Sequence, residues 1–152
     1  MKFNIILASI FLLLGCQQRI NLEHEKQAIL TLHDKQRQAH FEKNVEMLIE
    51  NDAADFIQVN RGKISSPSRQ EKAVRFQAYF DAVAFVQWDD VTPPIISFSD
   101  DATMATAIVN KMVVLKLKQE NMRLDTTYFA WLAVYKKTNG HWELYQMAST
   151  NQ

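Results

Sequence analysis

Cysteine is almost absent from this sequence: Cys16 is the single cysteine among 152 residues. One cysteine cannot form a disulfide within the chain, so a folded domain must be held together by an apolar core. Hydrophobic residues make up 47% of the sequence and include nine phenylalanines, which is consistent with such a core. The length and composition therefore predict one domain without disulfides.

Net charge is absent too, because 17 basic residues balance 17 acidic ones. The first 15 residues contain Lys2 and no acid, so the rest of the chain has 16 basic and 17 acidic residues. Proteins that bind nucleic acids or anionic membrane surfaces have an excess of basic residues. The sequence therefore predicts neither of these partners.

Several catalytic motifs are missing as well. The sequence has no nucleophile elbow, no phosphate-binding loop and no cysteine placed as a nucleophile. His24-Glu25 does not begin a zinc-binding His-Glu-x-x-His motif, because the fourth residue after His24 is Ala28. His33 and His40 are separated by about 10.5 Å of helical rise, too far to share an ion. We therefore expect no metal and no other cofactor.

The N-terminal residues have the features of an export signal. A short basic lead precedes the apolar run Ile5–Leu14. A run of about ten residues is too short to span a bilayer, which takes about 20, but it fits the core of a signal peptide. It ends in Leu13-Leu14-Gly15-Cys16, which resembles the lipobox of bacterial lipoproteins.

This resemblance implies cleavage before Cys16 and acylation of the cysteine. Leu14 departs from the commonest lipobox, in which a small residue stands at that position, so we expect slower processing. Residues 1–15 are thus interpreted as a lipoprotein signal peptide, residues 16–22 as a lipidated tether and residues 23–152 as the domain. The implied location is the bacterial cell envelope, on the periplasmic side or at the outer membrane. The alternative is an ordinary secretion signal with an incidental cysteine.

Three helices are predicted in the domain. Asn21 or a neighbour caps a helix that runs to about Lys43, and Asn44 caps a short second helix. The residues Ser68-Arg69-Gln70-Glu71 form a capping box that opens a third helix. Between the second and third helices, residues 55–60 alternate in polarity as a strand does, and Arg61-Gly62 makes a turn.

A long antiparallel meander is predicted after the third helix. The strand Met104–Leu117 would be about 46 Å long, so it must coil and bend within a small domain. Asn139-Gly140 is a strong hairpin signal between residues 126–135 and 142–149. The run Thr126–Tyr135 is apolar at both odd and even positions, which is typical of a strand covered on both faces.

This order of elements, over about residues 25–150, resembles the nuclear transport factor 2-like superfamily, which includes SnoaL-like cyclases and ketosteroid isomerases. Local patterns typical of that fold are Ala54-Asp55-Phe56, Tyr79-Phe80, Tyr135-Lys136-Lys137, Asn139-Gly140-His141-Trp142 and Ser149-Thr150. The resemblance implies an α+β, cystatin-like cone in which a strongly curved antiparallel sheet wraps the helices and leaves a pocket at its open end. It also implies a homodimer. It implies no particular activity, because one fold can host many functions.

His33, Arg37 and His40 lie on one face of the first predicted helix. They could line the mouth of the pocket, where they would bind an anionic ligand or assist proton transfer. The alternative is a solvated helix face, and the polar neighbours Lys35, Gln36 and Gln38 favour that alternative.

Five carboxylates are candidates for catalysis, and each lies at a predicted strand end or in a loop: Asp55, Asp89, Asp90, Asp125 and Glu143. A solvated acid is ordinary there, so we assign no catalytic residue. The pocket is expected to be lined by Trp88 and Trp131, with His40 as a polar group near its rim. The alternative for the tryptophans is packing in the core or at a dimer contact.

The predicted function is to bind a small apolar ligand in the cone or to act as a dimeric interaction module. An alternative is an isomerase, dehydratase or hydrolase that uses a pocket carboxylate or His40. A third is a purely structural dimer. Dimerisation is predicted because two central strands are apolar on both faces, while helices can cover only the concave one.

Overall fold

A computed structural model describes residues 20–151 of the chain. The predicted signal peptide, the lipid attachment at Cys16 and most of the predicted tether lie outside the described residues. Within residues 20–151, no helix is both long and apolar enough to cross a membrane.

The helices begin and end where their capping residues predict. Their bounds are α1 Leu22–Glu42, α2 Val45–Ile49 and α3 Arg69–Ala82. The side chain of Asn21 accepts a hydrogen bond from the His24 amide at the start of α1, and Lys43 ends that helix in the left-handed conformation. The reciprocal capping box of Ser68 and Glu71 is present at the start of α3, and it satisfies amides that lack a partner within the helix.

Seven strands form one sheet. They are β1 Asp52–Asn60, β2 Lys63–Ser65, β3 Val83–Asp90, β4 Ile95–Phe98, β5 Met104–Leu117, β6 Arg123–Thr138 and β7 His141–Asn151. The order is β2-β1-β7-β6-β5-β3, and β4 pairs with β5. The pair β1 and β7 is parallel and every other pair is antiparallel. The loop predicted between β5 and β6 contains a single 3-10 turn, Lys118–Glu120.

Irregular pairing curls the sheet around the helices. The register shifts between Phe85 and Gln87 on β3, between Val134 and Tyr135 on β6, and between Asp52 and Ile57 on β1. An unpaired residue bends its strand and increases the local twist. The result is the predicted α+β cone with an open, strongly curved sheet, and the predicted fold class is confirmed.

The structure settles which side of β6 faces the helices. Ala133 and Tyr135 are buried on the concave side, with 0% and 2% of their surface exposed, whereas Tyr128 and Leu132 on the convex side are 48% and 41% exposed. Successive side chains of a strand point to opposite faces. The sequence could not decide this point because both sets are apolar.

The convex side carries a row of apolar side chains across four strands. Ile95 on β4 pairs with Ile108 on β5, which pairs with Leu132 on β6, which pairs with Ala148 on β7. We call these four residues the convex row. Ile95 and Ile108 are 61% and 52% exposed. No helix of the described residues covers this row.

Candidate functional site

The concave side of the sheet encloses a cavity of about 340 Å³. Its walls come from all three helices and from five strands, β1, β3, β5, β6 and β7. Most of its lining is apolar. Large apolar residues in the lining include Phe56, Phe76, Tyr79, Phe129, Leu144 and Met147. The volume is at the small end of the range typical of small-molecule pockets, about 300–1,000 Å³.

His40, Trp88 and Trp131 all line this cavity. The ring of His40 stacks on Trp88 with 4.3 Å between centroids and 23° between planes. The ring centroids of Trp88 and Trp131 are 6.0 Å apart. The structure thus brings the three predicted residues together, and their role in binding a ligand stays a prediction. His40 lies buried in the wall, with 9% of its surface exposed, rather than near the rim.

His40 is held as a neutral side chain. Its Nδ1 donates to the Gln36 carbonyl oxygen at 2.6 Å, and the rings of Phe80 and Phe85 contact it edge-on. Burial lowers the pKa of His40 to about 4, although the Gln36 hydrogen bond opposes this effect. With the proton on Nδ1, Nε2 is a hydrogen-bond acceptor.

The Nε2 acceptor of His40 makes no hydrogen bond with the described part of the protein. Nε2 has no hydrogen-bond partner within residues 20–151, and among those residues no fully buried side-chain nitrogen or oxygen lacks a partner. Nε2 is therefore not fully enclosed. Because His40 lines the cavity, Nε2 is a candidate acceptor for a ligand with a hydroxyl or amide donor.

Asp52 and Lys72 form an ion pair in the cavity wall. Asp52 is the first residue of β1, Lys72 lies in the first turn of α3, and both line the cavity. Their side chains are 11% and 7% exposed. The Lys72 Nζ also lies 3.6 Å from the centroid of the Phe56 ring, where the π-face attracts a cation.

Burial perturbs both members of this pair. It raises the pKa of Asp52 above its ordinary value despite the opposing charge of Lys72. It lowers the pKa of Lys72 despite the charge of Asp52. Perturbed ionisable groups inside a cleft are typical of functional sites. The pair can therefore orient a polar group of a ligand or exchange a proton with it.

A second polar cluster lies behind Trp88. Asp90 accepts hydrogen bonds from Lys111 Nζ at 2.7 Å and from His33 Nε2 at 2.9 Å, and Lys111 Nζ lies 3.8 Å from the centroid of Trp88. Burial raises the pKa of Asp90, but the hydrogen bonds from Lys111 and His33 outweigh it and leave the pKa below its usual value. Burial lowers the pKa of Lys111 against the attraction of Asp90.

This second cluster corrects the expectation of a solvated helix face. His33 is 5% exposed and Lys111 is fully buried. Arg37 is exposed, and it donates to Asp89 at 2.8 Å. None of His33, Asp90 and Lys111 lines the cavity. The cluster therefore packs against the side of Trp88 that faces away from the cavity.

Solved structures with this architecture are numerous. No family model matches the chain, and no curated protein matches it. An NTF2-like protein from Cytophaga hutchinsonii is similar at 18% identity, over 83% of this chain and 97% of that chain, with a TM-score of 0.65. A ketosteroid isomerase-like protein from Erwinia carotovora atroseptica is similar at 14% identity, over 84% and 95% of the two chains, with a TM-score of 0.67. A conserved protein from Planctomyces limnophilus gives 12% identity, 86% and 99% coverage and a TM-score of 0.73.

The chain has the NTF2-like fold. Identities this low show the fold alone, and function must be argued from the site. The cavity lies on the concave side of the sheet of the NTF2-like cone, between the sheet and the helices.

None of the five carboxylates that are candidates for catalysis lines the cavity of the NTF2-like cone. Asp52, which sequence reasoning missed, does. Lys72 was missed as well, although its spacing from the apolar residues of α3 indicated an inward position. Lys72, Phe76 and Tyr79 lie at i, i+4 and i+7, so the lysine shares the apolar face of α3.

Metal binding finds no support in the described part of the cone. Within residues 20–151, no group of three or more histidine, cysteine, aspartate and glutamate side chains is arranged to hold a metal ion.

Proposed function

We propose that this protein binds a small, largely apolar molecule in the cone. The observation that carries the proposal is the cavity of about 340 Å³, whose apolar walls contain a few convergent polar groups. Such walls select a ligand mainly by shape, and a few hydrogen bonds fix its orientation. His40 supplies an acceptor and the Asp52–Lys72 pair supplies both a donor and an acceptor.

The test is a titration with the uncharged fluorescent probe N-phenyl-1-naphthylamine. We expect saturable binding that weakens roughly tenfold in Trp131→Ala, because the tryptophan supplies an aromatic wall. His40→Ala should weaken binding only about threefold for ligands that donate to Nε2. Tyr128→Ala is the control, because Tyr128 lies on the convex side and is 48% exposed. No saturable binding, or equal effects of Trp131→Ala and Tyr128→Ala, would contradict the proposal.

Catalysis is the second candidate function, and the position of Asp52 favours it. A buried carboxylate with a raised pKa in an apolar cavity can accept a proton from a bound substrate. An isomerase, dehydratase or hydrolase could use Asp52 or His40 in this way. The test is to follow a bound compound over time by mass spectrometry. Asp52→Asn or His40→Ala should abolish its conversion while leaving binding measurable. If the wild-type protein also leaves the bound compound unchanged, the protein binds the compound without converting it.

We propose further that the protein is a lipoprotein of the bacterial cell envelope, anchored through Cys16. Support comes from the residues Leu13-Leu14-Gly15-Cys16. More than one acyl chain gives durable attachment, since a single chain binds a membrane only marginally. Cys16→Ser should move the protein from the membrane fraction to the soluble fraction or leave it unprocessed. Mass spectrometry showing an unmodified mature N-terminus would refute the anchor.

The convex row supports a homodimer, which we also propose. Exposed apolar side chains in register on one sheet face form a self-complementary surface for a two-fold partner. Ile108→Glu should shift the domain to monomer in light scattering at high micromolar concentration. Val74→Glu on α3 is the control, because Val74 is equally apolar and 61% exposed but lies away from the row. A wild-type domain that is already monomeric would contradict this proposal.

A further inference from the structure

The charges that border the cavity do not cancel. Asp52, Lys72 and Arg75 are the three residues in its lining that carry a formal charge at neutral pH. Asp52 and Lys72 are paired with each other. Arg75 makes no ion pair within residues 20–151, whereas Arg37, Arg69 and Arg123 each have a carboxylate partner. One positive charge at the cavity therefore lacks a counter-charge from the described protein.

Arg75 is placed between the apolar wall and solvent. It lies one helical turn after Lys72 on α3, and its Nη1 donates to Gln58 Oε1 at 3.2 Å. The guanidinium carbon lies 5.2 Å from the centroid of the Phe76 ring. Because a guanidinium has five N–H donors, four of them remain for another acceptor.

Two neutral donors accompany this arginine. Gln58 accepts from Arg75 through its oxygen, so its amide nitrogen still has two donors. Ser149 lies on β7 two residues beyond Met147, the residue that pairs with Gln58, so Gln58 and Ser149 share the concave face. All three side chains line the cavity. We call Arg75, Gln58 and Ser149 the anion cluster.

We propose that the ligand is a monoanionic amphiphile, with an apolar body in the cavity and one carboxylate-like or sulfonate-like group at the anion cluster. This rests on the proposed binding function. An anion is favoured over a neutral polar group because charge-assisted hydrogen bonds to guanidinium are about twice as strong as neutral ones. One negative charge suffices, because Asp52 already neutralises Lys72.

The test compares two probes with the same aromatic frame: 8-anilinonaphthalene-1-sulfonate, which is anionic, and uncharged N-phenyl-1-naphthylamine. Arg75→Gln should weaken binding of the anionic probe roughly tenfold and change the neutral probe less than about twofold. Arg75→Lys should retain most of the preference for the anion. Added salt should weaken only the anionic probe, and this effect should shrink in Arg75→Gln.

Arg61→Gln is the matched control, because Arg61 does not line this cavity. Unchanged binding of the neutral probe shows that each variant is folded. If neither probe binds the wild type, the proposed binding function fails. If both probes bind but Arg75→Gln leaves the anionic probe unaffected, or if Arg61→Gln weakens it equally, the anion inference is overturned and the binding function stands.

Discussion

Two lysine–aspartate pairs lie inside this cone, and they differ in how many donors the carboxylate receives. Asp90 accepts from both Lys111 and His33, whereas Asp52 is paired with Lys72. In both pairs the ammonium lies close to an aromatic ring, at 3.8 Å from the Trp88 centroid for Lys111 and 3.6 Å from the Phe56 centroid for Lys72.

The pKa values of the two carboxylates shift in opposite directions. Burial is the largest influence on both, but two donors overcome it at Asp90 and lower its pKa, while the pKa of Asp52 is raised. The Asp90–Lys111 pair is therefore a fully hydrogen-bonded ion pair that packs against Trp88. The Asp52–Lys72 pair borders the cavity, and its carboxylate accepts a proton more readily than that of Asp90. Of the two pairs, the one that faces the cavity is therefore the candidate for a role in the proposed function.

The largest loss of stability is expected when the Asp90–Lys111 pair is broken. Asp90→Ala should lower the free energy of unfolding by about 3–5 kcal/mol, because it leaves Lys111 buried without its counter-charge. The neighbouring change Asp89→Ala should lower it by less than about 1 kcal/mol, since the Arg37–Asp89 pair is exposed. Urea unfolding of both variants measures the difference. Equal losses would show that the Asp90 cluster is not a structural unit.

His40, which lines the cavity and stacks on Trp88, should make the stability of the protein depend on pH. Its pKa is about 4 in the folded protein and near 6.5 when unfolded, so the unfolded chain takes up a proton first as the pH falls. The stabilisation from keeping His40 neutral is fully present above pH 6.5 and is lost progressively down to about pH 4. The loss should amount to about 3 kcal/mol.

Urea unfolding at a series of pH values tests this expectation. His40→Gln should show a flatter pH dependence than the wild type between pH 4 and 6.5. His24→Gln is the control and should follow the wild-type curve, because the His24 side chain is 77% exposed. Parallel curves for the wild type and His40→Gln would contradict the burial argument.

The smallest effect on stability is expected at the pair that borders the cavity. Asp52→Ala should lower the free energy of unfolding by about 1–3 kcal/mol, less than Asp90→Ala, because water in the cavity can solvate Lys72. Asp55→Ala, at an exposed position of the same strand, should change it very little. Urea unfolding provides the comparison. A loss as large as that of Asp90→Ala would show that water does not reach Lys72.

Local signals in the sequence were sufficient for most of the fold. The capping box at Ser68 and the turn at Asn139-Gly140, where both residues have positive φ, are set by neighbouring residues. The bounds of β5 were predicted correctly, whereas β6 is longer than the predicted run 126–135 and extends over Arg123–Thr138. The extra residues of β6 pair with β5 and β7, so their conformation depends on partners that a local pattern does not contain.

The site was less predictable because its polar partners are far apart in sequence. His33 and Asp90 are 57 residues apart, and Lys111 is 78 residues from His33. Polar neighbours of His33 suggested a solvated face, and nothing local indicated that β3 and β5 would place Asp90 opposite Lys111. The central position of Trp131 in the run 126–135 suggested it as a pocket residue, although both faces of that run are apolar. The structure places it in the cavity lining together with Trp88 and His40, and their role in binding a ligand stays a prediction.

The position of β7 has a consequence for how the cone folds. The strand formed by residues 141–151 lies between β1 and β6, and its parallel pairing with β1 joins residues about 90 positions apart. Long-range pairing of this kind is slow and leaves strand edges unpaired until it is complete. Before β7 pairs, β1 and β2 form one group of strands and β3 to β6 another, and no strand joins the two groups. Since β7 also supplies Leu144, Met147 and Ser149 to the lining, the wall of the cavity is incomplete until this strand is in place.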